Sequence, residues 1–154
     1  MLTIEKVLIL KGVHMFAGTS QEILADVAAI LDEALYKAGE VVISKGDFGD
    51  SMYIIVEGKV RVYDGDRTIT FLGARDIFGE LALLDPEPRI ASIVAAVDTH
   101  LFRLDREAFS ELMAGNIEIV RGVLHVLCQR VRRQGRYEDA PAPPGAPQVP
   151  STPS

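Results

Sequence analysis

Three textures of apolar and polar positions follow one another along the chain. Val7, Leu8 and Leu10, and later Ile23, Leu24, Val27, Ile30 and Leu31, recur at the spacing of one helical face. The first forty residues therefore read as helical. Thr19, with Glu22 three residues on, has the form of a capping box. Between Leu35 and Leu104 the pattern shortens to runs rich in Val, Ile, Tyr and Thr, at 41–43, 52–56, 59–63, 67–72, 90–97 and 100–104. Gly and Asp separate them, and Asp64-Gly65 between two alternating runs predicts a hairpin, because glycine tolerates positive φ. Short strands with turn signals near every ten residues predict an antiparallel barrel or sandwich. Helical spacing then returns. Asp105 is placed to cap a helix through Ala108, Phe109, Leu112 and Met113, and Gly115-Asn116 ends it. Ile117, Val120, Val123, Leu124, Leu127 and Val131 form a second stripe that ends near Gly135. These textures predict one domain over 1–136. The Pro- and Ala-rich 137–154 has too little apolar bulk to offset ordering and reads as a disordered tail.

Composition narrows the function classes. Hydrophobic residues make up 48% and charged residues 25% of the 154 positions, ordinary values for a globular domain. No apolar run approaches the roughly 20 residues of a membrane span. The apolar stretch Val7–Leu10 is too short for a secretory signal. The single cysteine, Cys128, excludes an internal disulfide and is expected to serve packing on the flank of the last helix. A cytoplasmic location is the natural expectation. A net charge of −6 argues against a general nucleic-acid surface. The basic cluster Arg130, Arg132, Arg133 and Arg136 reads as solvation and dipole complement at a helix end.

Residues 78–92, Phe-Gly-Glu-Leu-Ala-Leu-Leu-Asp-Pro-Glu-Pro-Arg-Ile-Ala-Ser, carry the chemistry. Glu80 is an acceptor suited to a sugar hydroxyl. Arg89 is a planar fork suited to bidentate engagement of a phosphate. Gly79 lets a ligand approach the backbone, and a short helix starting near Glu80 would aim amides at an anion. An alternative for any such pair is a plain ion pair at a turn.

The whole segment, Gly before Glu, an apolar turn, then Pro-Arg-x-Ala, resembles the phosphate-binding cassette of cyclic nucleotide-binding domains. These domains occur in the catabolite activator protein and in protein kinase A regulatory subunits. The resemblance runs from about Val7 to Arg133 and includes Lys37-Ala38-Gly39-Glu40-Val41-Val42, the stretch Gly46 to Ile55, and Glu57-Gly58-Lys59-Val60-Arg61-Val62. It implies a mainly β fold, an antiparallel jelly-roll barrel with helices before and after it. It also implies that Gly79, Glu80, Leu81 and Ala82 contact sugar and phosphate, that Arg89 binds the phosphate, and that the amides of Ile90 and Ala91 support it. Val62 and Ile69 match the base pocket and serve equally well as barrel core. Arg130 matches a ligand-facing position on the last helix, the other reading being an exposed helix-end arginine.

Two positions depart from the family pattern. Ile90 stands where Ala, Ser or Thr is usual, which removes a hydroxyl contact to guanine, favours cyclic AMP over cyclic GMP and threatens to crowd the ligand. Arg75 replaces a common glycine, at a cost of about 1 kcal/mol or more if the turn needs positive φ. The implied role is a cyclic-nucleotide sensor that signals through its C-terminal helix. That helix is also a possible homodimer contact, and the chain would be a stand-alone module or one excised from a larger protein. The alternative is a degenerate member that binds no nucleotide and serves interaction or dimerisation. No cofactor and no metal are implied. An enzyme of cupin type would need clustered ligands, whereas His14, His100 and His125 are scattered in the sequence. A DNA-binding helix-turn-helix is not expected after Arg136.

Overall fold

The computed structural model describes residues 1–138, with side chains described through Arg133. Helix α1 (Thr3–Lys11), a 3₁₀ turn (His14–Phe16) and α2 (Gln21–Ile30) precede eight strands. The strands are β1 (Asp32–Tyr36), β2 (Val41–Ile43), β3 (Ser51–Glu57), β4 (Val60–Asp64), β5 (Arg67–Leu72), β6 (Ile77–Phe78), β7 (Ser92–Ala95) and β8 (Thr99–Asp105). Helix α3 (Leu81–Leu84) lies between β6 and β7, and α4 (Arg106–Gly115) and α5 (Ile117–Glu138) follow β8. Two antiparallel four-stranded sheets result, ordered β1-β8-β3-β6 and β2-β7-β4-β5. This is the helix-flanked antiparallel jelly roll that the sequence led us to expect.

The alternation of β3 explains how the layers are held together. Met52 and Ile54 point into one core with Leu10, Phe16, Leu24, Leu83, Phe109 and Ile119 of the helical segments. Tyr53 and Ile55 point the other way, into a core shared with Ile43, Val60 and Ile93 of the second sheet. Strand β8 does the same with Phe102 and Leu104 on the helical side and Leu101 on the other. The β3–β8 pair is thus a central wall buried on both faces, and successive side chains of a strand supply both layers.

Several local expectations change. Residues 32–36 are not helical but form an edge strand paired with β8, Asp32 opposite Arg103 and Tyr36 opposite Thr99. Thr19 does not cap α2. The N-cap is Ser20, without a side-chain cap bond. Its amide donates instead to Glu118 Oε2 on α5 at 2.9 Å. Asp105 occupies the N-cap of α4 as expected, yet its carboxylate accepts from Ser51 Oγ and Arg103 Nη2 rather than capping. The 90–97 run forms a strand only over 92–95. Residues before it are stitched to the loop ahead of β3, with Gly46 N donating to Arg89 O and Arg89 N donating to Asp47 O, each at 2.8 Å. The Asp64-Gly65 hairpin is present, with Gly65 at φ 58°. Cys128 is exposed, so the packing role expected for it does not hold. The expected tail from 137 begins inside α5, and its remainder from 139 lies outside the described residues. Among the described residues no helix is long and apolar enough to cross a membrane.

Candidate functional site

The cassette begins where β6 ends. Phe78 is buried and stacks on Tyr53, ring centroids 5.1 Å apart and planes at 15°. The chain then turns at Gly79, φ 78°, and α3 starts after Glu80. A side chain at Gly79 would be strained at that φ. It would also bring a Cβ to 2.8 Å from Arg89 Nη1 and 3.0 Å from the Ser51 carbonyl oxygen. Ala82 and Leu83 are buried, while Leu81 and Leu84 are exposed, so only half of the apolar turn packs inward as expected. Amides of this turn are partly committed: Ala82 N donates to Gly79 O and Leu83 N to Glu80 O. The Ala82 amide is therefore shared with the turn itself at 3.1 Å.

Arg89 is the best-supported side chain of the site. Its Nη2 donates to the carbonyl oxygen of Ser51 at 2.7 Å. A Cβ at Gly49 would overlap its Nε, so Gly49 and Gly79 are the two walls between which the guanidinium runs. Ser51 itself is buried, and its hydroxyl lies within hydrogen-bond distance of Asp50 and Asp105 carboxylate oxygens. Burial pushes the Arg89 pKa downward, while Tyr53, Asp50 and Glu80 pull it up. Arginine has so much margin above neutrality that the group stays cationic. A guanidinium carries five N–H donors, and one of them on Ser51 leaves the fork able to meet an anion.

Glu80 has a mostly buried side chain, 11% exposed, but it is not paired with Arg89. Its Oε1 meets Arg130 Nη2 of α5 at 2.6 Å. Arg130 is thus not a free helix-end cation; it bridges the last helix to the cassette. Glu80 also borders a crevice of about 10 Å³ with Met15, Leu83, Val123 and Leu127, space for one water at most. Arg89 does not line it.

The remaining predicted positions are spread around this centre. Val62 is half-buried in β4. Ile69 is 50% exposed and is the extra residue of a bulge in β5, because Val62 pairs with Thr70 and Tyr63 with Thr68. The barrel-core alternative for Ile69 therefore does not hold. Ala91 is half-buried, and Ile90 is 86% exposed. Arg75 does adopt positive φ, 73°. It has a compensating bond: its Nη1 donates at 2.6 Å to the carbonyl of Val56, the extra residue of a bulge in β3. Sequence reasoning missed Gly49 and Ser51 as supports of Arg89. The Gly46-Asp47-Phe48-Gly49 run was visible as a turn, but only the folded contact distinguishes the glycine that makes room for a guanidinium.

A family model described as the cyclic nucleotide-binding domain matches residues 33–116. The "CRP-like cAMP-activated global transcriptional regulator" of Mycobacterium tuberculosis is 33% identical over 130 residues, which cover 81% of this chain and 58% of that protein. The chain thus spans little more than half of that relative's length. The solved Thermus thermophilus catabolite activator protein superposes with a TM-score of 0.75 at 31% identity, covering 81% of this chain and 61% of that one. The regulatory domain of Toxoplasma gondii PKA, co-crystallised with cAMP, superposes with a TM-score of 0.71 at 26% identity, covering 85% of this chain and 50% of that one.

Gly79→Ala combines left-handed strain with the contact on Arg89. It is expected to destabilise the domain by about 1–2 kcal/mol, read as a lower urea midpoint. An unchanged midpoint would mean that the turn accommodates a side chain and that Gly79 is not a wall of the Arg89 channel.

Proposed function

This chain belongs to the cyclic nucleotide-binding domain family, and from that membership we propose that it is a cyclic AMP sensor whose occupancy is passed on through α5. The observation that carries this reading is the half-buried Arg89 guanidinium, held by Ser51 between Gly49 and Gly79. A cation kept in that position without a carboxylate salt bridge among the described residues is suited to a monoanionic phosphate diester. Glu80, whose charge acts on Arg89, would accept the ribose 2′-hydroxyl, favouring ribose over deoxyribose. Gly79, Leu81, Ala82, Ile90 and Ala91 would frame sugar and phosphate, and Val62 and Ile69 would wall the base. No chemistry on the ligand is required, so the role is regulatory rather than catalytic.

Cyclic AMP is favoured over cyclic GMP because Ile90 offers no hydroxyl to the guanine amino group. Its side chain is 86% exposed, which argues against crowding. The relative from Mycobacterium tuberculosis is named as cAMP-activated, and the Toxoplasma regulatory domain was crystallised with cAMP. The non-binding alternative drew on Ile90 and Arg75. Arg75 uses its guanidinium on the Val56 carbonyl, and Ile90, the chain neighbour of Arg89, turns its side chain out to solvent.

Transmission follows from the Glu80–Arg130 pair. Oε1 of Glu80 is held by α5, which leaves Oε2 for a sugar hydroxyl. A ligand on Glu80 thereby biases the position of α5, a coupling that must work in both directions. The same helix exposes Ile117, Leu124 and Val131 at seven-residue intervals, with half-buried Val120 and Leu127 between them. These are the a and d positions of a two-stranded coiled coil, and we assign them to a homodimer seam between two copies of α5.

Three outcomes test these assignments. Arg89→Leu should abolish measurable cyclic AMP binding by calorimetry while the circular dichroism spectrum is retained; unchanged affinity would refute the phosphate site. In the wild type, cyclic AMP should alter hydrogen exchange along α5. In Arg130→Gln that response should vanish, with affinity reduced roughly tenfold or less, since the Arg130 side of the pair is half-exposed. A wild-type response persisting in that variant would remove α5 coupling through Glu80. Leu124→Glu should turn a dimer into a monomer by light scattering and leave cyclic AMP affinity within a few-fold, whereas an unaltered mass would rule out the seam.

A further inference from the structure

Away from the cassette, α5 is joined to the N-terminal segment along one of its faces. Glu118, Gly122 and His125 are spaced four and three residues apart, so they stack on that face. Glu118 Oε2 accepts from the Ser20 amide at 2.9 Å. The backbone of Met15 comes so near Gly122 that a Cβ there would overlap the Met15 carbonyl oxygen. One helical turn further on, His125 Nε2 lies 3.1 Å from His14 Nε2, across 111 residues of sequence. The chain has three histidines, and two of them meet here, both on the exposed surface. Their rings are tilted at 37° with centroids 5.0 Å apart, so the contact is made edge to edge through nitrogen rather than by stacking.

We propose that His14 and His125 form a transition-metal site, binding a divalent ion of the zinc, copper or nickel type through their two Nε2 atoms and stapling α5 to the 3₁₀ turn. Two Zn–N bonds of about 2.0–2.1 Å at a tetrahedral angle put the nitrogens roughly 3.3–3.4 Å apart. The spacing of 3.1 Å needs only a few tenths of an ångström of opening. The competing arrangement is a single N–H···N bond between two exposed rings, which has a small net value in water. Imidazole nitrogen selects zinc, copper and nickel over magnesium and calcium. Among the described residues no third His, Cys, Asp or Glu completes a protein cage. Water would fill the remaining positions, and the ion would be held far more loosely than in a closed four-ligand structural site. The glycine at 122 is what lets the two backbones approach closely enough for the rings to meet. This inference is independent of the nucleotide reading.

The untagged chain, titrated with zinc chloride and separately with magnesium chloride, tests it. Calorimetry should give one zinc per chain and no magnesium binding, and zinc should raise the thermal unfolding midpoint, because an ion bound only by the folded state stabilises it. His14→Gln and His125→Gln should each weaken zinc binding about tenfold or more, as expected for loss of one of two ligands. Cys128→Ser, which alters the nearby exposed thiol, should leave it intact. In the wild-type chain, zinc should move the ring-proton resonances of His14 and His125 together and leave those of His100 in place. Absence of zinc binding, wild-type affinity in either histidine variant, loss of binding in Cys128→Ser alone, or a shift confined to His100 would each overturn the proposal.

Discussion

A guanidinium that is half-buried and made to face an anion must be positioned by neutral groups, because a carboxylate clamped on it would compete with the ligand. Around Arg89 that condition is met by a backbone carbonyl and two missing side chains. Ser51 O takes one N–H, and Gly49 and Gly79 leave the channel open. The reciprocal bonds between residues 46–47 and Arg89 fix its backbone from behind. Ser51 begins β3, the strand buried on both faces, so the position of Arg89 is referred to a deeply buried strand of the core. Desolvation still lowers the Arg89 pKa, and the nearby Tyr53, Asp50 and Glu80 offset this without the carboxylates closing on it.

Glu80 is treated in the opposite way. Its carboxylate is mostly buried and has a partner, Arg130, supplied by a helix that begins 37 residues later in the chain (117 − 80). The two groups of the cassette thus report to different parts of the molecule. Arg89 is anchored to the β core, whereas Glu80 is tied to α5. A ligand touching both would link a fixed element with a terminal helix, which is the arrangement a sensor needs. α5 is in turn anchored at its other end by Glu118 on the Ser20 amide and by the close approach at Gly122. Its remaining apolar stripe, Ile117, Leu124 and Val131, is left exposed.

What could be read from the sequence was what depends on neighbours in the chain. The Asp64-Gly65 hairpin and the break at Gly115-Asn116 are local and were legible. The cassette was legible because its Gly-Glu and Pro-Arg-x-Ala spacing is a continuous pattern. Features set by distant partners were not. Residues 32–36 carry too little alternation to announce a strand, and β8 imposes it. Thr19 had the form of a cap, but the donor at the helix start is met by Glu118, 98 residues away. Arg75 read only as a cost, until the bulge carbonyl at Val56 gave its guanidinium a purpose. Gly49 looked like any turn glycine, and the pairing of Glu80 with Arg130 rather than Arg89 had no signature in the sequence.

The central claim is that Arg89 is the group that meets the phosphate. The most direct measurement follows the Arg89 side-chain N–H resonances in a nitrogen-15 spectrum during titration with cyclic AMP and, separately, with adenosine. Cyclic AMP should shift and sharpen the Arg89 signals, and adenosine, which has the same sugar hydroxyl and base but no phosphate, should leave them unmoved. Arg89 signals that ignore saturating cyclic AMP, or that respond equally to adenosine, would contradict the account.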